Sequence, residues 1–191
     1  MLHGEGFGAP RPIDVPILIG ANGPLGTKVA KSVGDGIFAA AVPNPEADGW
    51  HALLAYGTVL DDGEDPASKR VMDAAGHAIA VRFHAMYERA GAEGVRRYPG
   101  GEAWLASVES SPERERHLAV HEGHMAAVNE HDRHALAAAT AIIRRLTLTG
   151  SAAEVRDRVA AYAERGVTEI AYQPAGRDIP RELEAFITAV T

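Results

Sequence analysis

The chain has no cysteine. That absence excludes disulfides, thiolate zinc sites and cysteine nucleophiles, and a reducing cytoplasm is the expected setting. It also lacks any basic run. With 19 Lys and Arg against 26 Asp and Glu, the net charge is -7, a balance that repels a phosphate backbone and argues against nucleic-acid binding. No apolar stretch approaches the ~20 residues of a membrane span, so no membrane association is expected. The start, Met1-Leu2-His3-Gly4-Glu5-Gly6, has neither the basic nor the apolar region of a secretory signal. What remains is a globular composition. The 191 residues are 46% hydrophobic, enough for one domain, residues 1–191, with a real core. Alanine is frequent, which favours closely packed helices.

The order of elements predicts α/β structure. Past Pro12, the run Val15-Pro16-Ile17-Leu18-Ile19 reads as a short buried strand. A glycine-rich turn, Gly20 to Gly26, leads into a helix over 27–33 that Gly34 ends, and residues 35–40 form a second strand. Such strand–turn–helix–strand units build mostly parallel sheets. Leu53 to Leu60 reads as a third strand. The acidic turn Asp61 to Asp65 lacks the spacing and closing Glu of a calcium loop, and reads as a solvated turn that opens a helix. From 67 to 90 the spacing of Val71, Ala75, Ile79, Phe83 and Met86 predicts a helix. Residues 91–112 read as irregular with short helices, 113–145 as helical with a break at Gly123, and Leu146 to Leu148 as a short strand. A helical insert of about 67–145 thus separates the third strand from the last. Ser151, with Glu154 three residues on, is a capping-box signature for a further helix. Gly166 ends it, Val167 to Tyr172 is the last strand, and Ile179 to Val190 a closing amphipathic helix.

The turn after the first strand carries the most chemistry. Glycines at 20, 23 and 26 allow backbone N–H groups to come close to a ligand. The turn feeds a helix N-terminus, where unpaired amides and the helix dipole favour an anion, and Asn22 and Thr27 add side-chain donors. The spacing is neither a Walker A motif nor a dinucleotide fingerprint. On the residues alone, two readings stay open: a phosphate site, or a tight turn that needs glycine.

A resemblance bears on that choice. Val15 to Pro24, the helix, and Val33-Gly34-Asp35-Gly36-Ile37 resemble the strand–phosphate loop–helix segment of luciferase-like monooxygenases. Leu148 to Val155, Gly166 to Ile170 and Gln173 to Gly176 resemble that family's closing helix, strand and loop. The stretches 58–64 and 117–124 are similar to a branch more often linked to deazaflavin than to FMN. The resemblance implies the C-terminal half of a (β/α)8 TIM-type barrel. It also implies an oxidoreductase or monooxygenase using FMN or a deazaflavin coenzyme of the F-420 type on a small-molecule substrate. The cofactor phosphate would be held through Asn22, Gly23, Leu25, Gly26 and Thr27, while the redox chemistry belongs to the cofactor. Catalytic residues are not identified. Many of the family's ring and substrate contacts come from N-terminal strands that this sequence does not carry. The outer edges of its sheet are therefore expected to need a partner, either a homodimer mate or a complementary N-terminal half-barrel chain.

Two further readings accompany this one. The first is a non-catalytic remnant binding a phosphorylated ligand or a partner chain. The second is a metal-dependent hydrolase using His121, His124 and His131. Their His-Glu-x-His start is not the zinc-protease spacing, and His124 and His131 stand about two turns apart on a continuous helix, too far to share one metal. No metal is expected, and surface or packing roles are the plainer reading of these histidines.

Overall fold

A computed structural model describes residues 15–123 and 128–191. Met1 to Gly6, Pro12 and His124, all named above, lie outside them. Four strands form one sheet in the order β1 (Leu18–Gly20), β2 (Gly36–Ala40), β3 (Trp50–Tyr56) and β4 (Glu169–Gln173), and every neighbouring pair is parallel. The α/β expectation holds, with the architecture of a partial TIM-type barrel. Helix α1 (Pro24–Val33) crosses from β1 to β2. Its Ala30 meets Ala21, Ile37, Ala39 and Leu53 in one small core. Small side chains at the contact let the helix lie close to the sheet.

The first strand is shorter than its apolar run. Pro16 has no N–H, and the Ile17 amide donates to the Asp35 carboxylate at 2.7 Å, so pairing with β2 begins only at Leu18. The third strand starts earlier than expected, at Trp50, and stops at Tyr56. Beyond it, residues 148–150 take over the pairing: Leu148 N–H donates to Tyr56 C=O at 2.6 Å, and Gly150 N–H to Thr58 C=O at 3.3 Å. The expected strand at Leu146 to Leu148 is replaced by the end of a helix and a single bridge, Val59 to Gly150.

Between β3 and residue 150 the two expected helices are divided into several, of which the longest is itself turned partway. The segment 67–90 divides at Gly76 into α2 (Lys69–Ala75) and α3 (His77–Arg96), and α3 turns again at Gly91, whose φ is 59°. After α4 (Gly101–Glu109), residues 113–145 break into α5 (Arg116–His121), α6 (Asp132–Ala137) and α7 (Ile143–Leu146). Gly123 is left-handed, and the Asn129 side chain accepts the Asp132 amide, starting a new helix there. These helices have their own core of Ile79, Phe83, Val95, Trp104, Leu105 and Val108. The fully buried Asp132 accepts from the Trp104 indole at 3.1 Å and pairs with His84 at 2.8 Å. The capped helix forms as expected. It is α8 (Ala152–Glu164): Ser151 Oγ accepts from Glu154 N–H, and the Glu154 carboxylate accepts from Ser151 N–H.

The closing helix α9 (Ile179–Val190) is locked by charge. Its Glu182 is 2% exposed and accepts from Thr58 Oγ1 at 2.5 Å and from Arg70 at 2.7 Å. Arg70 also grips Glu64, so α2, the 58–64 loop and α9 share one network. That contact draws the Glu64 carboxyl from 4.5 down to about 2. The folded value lies below the unfolded one. Its contribution to stability is therefore complete above about pH 4.5 and is lost as the pH falls from there through about 2. The urea midpoint is expected to drop across that window, and Glu64→Gln to flatten this part of the profile. An acid limb identical in the variant and the parent would remove Glu64 from the account.

Candidate functional site

The carboxyl ends of β1, β2 and β3 open into one cavity of about 540 Å³, the place where ligands sit in parallel α/β sheets. Asn22 lines it from the β1–α1 turn, Ala40 to Pro45 from the segment after β2, and Tyr56 from the end of β3. The far wall comes from α3, α7 and α8.

The five residues expected to hold a cofactor phosphate lie together around the start of α1. Gly23 is the N-cap, no side chain caps the helix, and Pro24 follows. The Leu25 and Gly26 amides are thus in the first turn without intrahelical partners. Neither Gly20, Gly23 nor Gly26 has positive φ, so the turn does not require glycine for its backbone. A Cβ at Gly20 or Gly23 would meet nothing within 4 Å. Internal packing does not demand glycine there either, and an unobstructed approach to the backbone is what these residues provide. The Asn22 Oδ1 accepts from Ala40 N–H at 2.9 Å, which leaves its amide NH2 beside the cavity. Thr27 is different from the expectation of a ligand donor. Its hydroxyl donates to Gly23 C=O and accepts from the Asn44 amide at 2.8 Å, and the residue is buried. It holds the loop's shape.

Asn44 completes that arrangement, and sequence reading missed it, taking Pro43-Asn44-Pro45 only as a loop. The buried amide donates to both Ala21 C=O and Thr27 Oγ1, its Oδ1 accepts from Glu46 N–H, and the Asn44 N–H donates to the buried His51 Nε2. The two loops that flank the cavity are thereby tied to each other. Between them, Ala41 has φ 62°, the one non-glycine with positive φ among the described residues, and Val42 N–H closes back on Ala40 C=O. Holding a non-glycine there costs on the order of 1–3 kcal/mol, and such residues gather at ligand sites.

The opposite wall was also missed, because its residues are far apart in sequence. Tyr56 and Tyr162 contribute phenols. Burial pushes the Tyr56 pKa up, so at neutral pH it is an O–H donor. Behind it, the His77 ring stands edge-on at 5.5 Å, with neither ring nitrogen hydrogen-bonded. Burial lowers the His77 pKa and keeps the ring neutral. Arg82, Arg89, Arg145 and Arg158 line the same cavity, and among the described residues no Asp or Glu does.

Of the histidines singled out in the sequence, His121 and His131 lie among the described residues. His121 ends α5 and pairs with Glu88 at 2.8 Å, while His131 precedes α6 and bonds Ser107 Oγ at 2.7 Å. Among the described residues no group of three or more His, Asp or Glu side chains is placed to hold a metal. No helix among them is long and apolar enough to cross a membrane.

The family model of the luciferase-like monooxygenases matches residues 3–169, most of the chain. No curated protein and no solved structure matches it.

The role given to Asn44 has a direct consequence. Asn44→Ala strips partners from the buried Ala21 carbonyl and Thr27 hydroxyl, so it is expected to cost about 2 kcal/mol of stability. Urea denaturation measures this, and a change indistinguishable from zero would show that the two loops are held by something else.

Proposed function

The chain belongs to the luciferase-like monooxygenase family, and on that premise we propose that it is a redox enzyme using FMN or a deazaflavin coenzyme, whose phosphate sits at the start of α1. Oxidoreductase chemistry comes with the family; the cofactor and its placement are our reading. The observation that carries it is the exposed backbone of residues 22–26 beside a cavity at the carboxyl ends of the strands. The Leu25 and Gly26 amides and the Asn22 NH2 offer donors to a phosphate, and the positive end of α1 favours its charge. When bound, the flavin or deazaflavin ring supplies hydride or electron transfer. The protein's part is to orient and to exclude water. Val42, Pro43 and Leu146 give the cavity apolar walls, and the Tyr56 hydroxyl would offer a bound ligand a donor. A cytoplasmic setting belongs to the same proposal. The non-catalytic alternative would use the same loop for a phosphorylated ligand, and redox turnover separates the two.

Gly23→Leu is the test of the placement. The backbone tolerates the change, since Gly23 has φ -142° and open space around it. The fold should therefore persist while FMN or deazaflavin affinity, read by fluorescence titration, falls at least about tenfold through blocked approach to the amides. Unchanged affinity would refute the assignment.

The same proposal includes a second copy of the chain. Among the described residues the outer edges of β1 and β4 have no strand partner. Apolar stripes stand exposed on the two helices near those edges: Leu25, Val29 and Val33 on α1, and Ile179, Leu183 and Ile187 on α9. Each set follows the i, i+4, i+8 spacing of one helix face. A twofold dimer covers such surfaces without forming fibres. Sedimentation at micromolar concentration should give a dimer, and Val29→Glu should shift it to monomer. A monodisperse monomer of the parent chain would show the reasoning wrong, and a stable complex with a different chain would replace the second copy.

A further inference from the structure

What sets the cavity apart is that four arginines line it together; exposed arginines without an ion pair to a described residue occur elsewhere too, at Arg97, Arg133, Arg156 and Arg165. Arg70, Arg96, Arg144 and Arg181 each pair with a carboxylate. Arg158 is spent on backbone, donating to the carbonyls of Arg144, Thr147 and Thr149. That grip holds the 144–149 segment against α8 and fixes where Arg145 stands. Arg82 has one weak contact, Nε to the Tyr98 hydroxyl at 3.4 Å. The Arg89 and Arg145 guanidinium groups have neither a hydrogen bond nor an ion pair with any described residue, although acids outnumber bases in the chain, 26 to 19. Among the described residues no acid lines this cavity, and its arginines form a local positive field inside an acidic protein, although Arg145 also borders a neighbouring cleft that holds Glu154 and Asp157.

The surface between them has a shape. Ala78, Arg82, Ala85 and Arg89 recur at helical spacing along one face of α3. The small side chains lower the floor between two arginines whose backbone positions stand about 10 Å apart along the helix. Arg145 enters from α7. Leu146 and Val81 give apolar flanks, and the volume of about 540 Å³ suits a small molecule.

We propose that this cavity takes an organic anion as substrate: a molecule with an apolar, ring-sized body and a carboxylate or phosphate held by Arg89 and Arg145. This rests on the reading of the cavity as the reaction site. It adds the chemical class of the molecule that enters beside the cofactor. The guanidinium fork pairs with a carboxylate or phosphate through two parallel hydrogen bonds. Those bonds fill the valences the protein leaves open. The α1 amides are a separate anion site on the other side of the cavity, so cofactor phosphate and substrate acid do not compete for the same donors.

The test uses 2-naphthoate as the anionic probe and 2-naphthamide as its neutral counterpart, titrated calorimetrically into the full chain, with FMN and deazaflavin coenzyme titrated separately. Naphthoate is expected to bind at least about tenfold more tightly than the amide. The double variant R89Q/R145Q should lose about that factor for naphthoate while amide and cofactor affinities stay within about twofold. Gly23→Leu should leave naphthoate binding intact. Thermal melts check that the variants fold, which is expected because neither arginine has a partner to lose. The single variants Arg89→Gln and Arg145→Gln keep the test open should the double variant melt early, each losing part of the naphthoate affinity. Equal binding of acid and amide, or unchanged naphthoate affinity in all the arginine variants, overturns the proposal. A parallel loss of cofactor affinity overturns it too, by assigning the arginines to the cofactor's own acidic groups. Failure of FMN and deazaflavin to bind the parent chain would sink the cofactor reading and leave the naphthoate comparison standing.

Discussion

Leu148 passes so close to Gly57 that a Cβ at Gly57 would lie 2.1 Å from the Leu148 carbonyl oxygen. Only glycine permits this approach, and much of the molecule is arranged around it. The sheet's third strand ends there, and the chain returning from the helices pairs with its continuation through Leu148 and Gly150. That return places Arg145 and Leu146 over the carboxyl end of the sheet. It also starts α8, whose Arg158 reaches back to the carbonyls of 144, 147 and 149. The helical region and the sheet have largely separate apolar cores, so their relative placement depends on backbone contacts of this kind more than on shared packing.

Charge is divided between the two ends of this junction. Just past the carboxyl end of the third strand, Glu182 is buried with Arg70, Arg181 and Thr58 around it. A buried carboxylate is tolerable only with such partners. The network also reaches Tyr172, whose hydroxyl donates to Gly57 C=O at 2.8 Å and whose pKa is raised by burial and by Glu182. The same glycine therefore ties α9's anchoring strand to the return segment. On the cavity side, by contrast, the guanidinium groups at 89 and 145 lack acids.

Local signals made the start and end of the chain readable. The strand–turn–helix–strand run of 15–40 and the Ser151–Glu154 cap depend on neighbours within a few residues, and both formed with shifts of one to three residues at their bounds. The middle was less readable. The apolar spacing from 71 to 86 is real, yet Gly76 and Gly91 cut the helix around it, and tertiary contacts decided where. The glycine-rich turn was legible in Gly20 to Gly26, but the direction of Thr27 was not, because its partner Asn44 is 17 residues away and lies between two prolines whose only local message is a loop. The arginines were the least legible. Arg82, Arg89, Arg145 and Arg158 carry no shared motif. Only the return of the chain at Leu148 brings them to one wall, and no spacing rule anticipates that.

The two proposed anion sites, the α1 amides and the arginines of the cavity, raise the question of why an acidic protein would attract anions at all. The net charge of -7 acts at long range, and at physiological salt its field is largely screened beyond about 8 Å. Inside the cavity the nearest charges are guanidinium groups, the walls are partly apolar, and screening is weaker, so the local field decides. The two surfaces also differ in kind. The α1 amides are neutral dipoles fixed by the helix and by Asn44; they cost little to keep solvated, and in the proposed reading they meet a phosphate. The arginines are full charges on flexible stems. They lose hydration on binding and give it back only to a group that fills their hydrogen bonds. A rigid neutral cradle suits a molecule that stays bound, and a pair of mobile cations suits one that must enter, be held in register and leave.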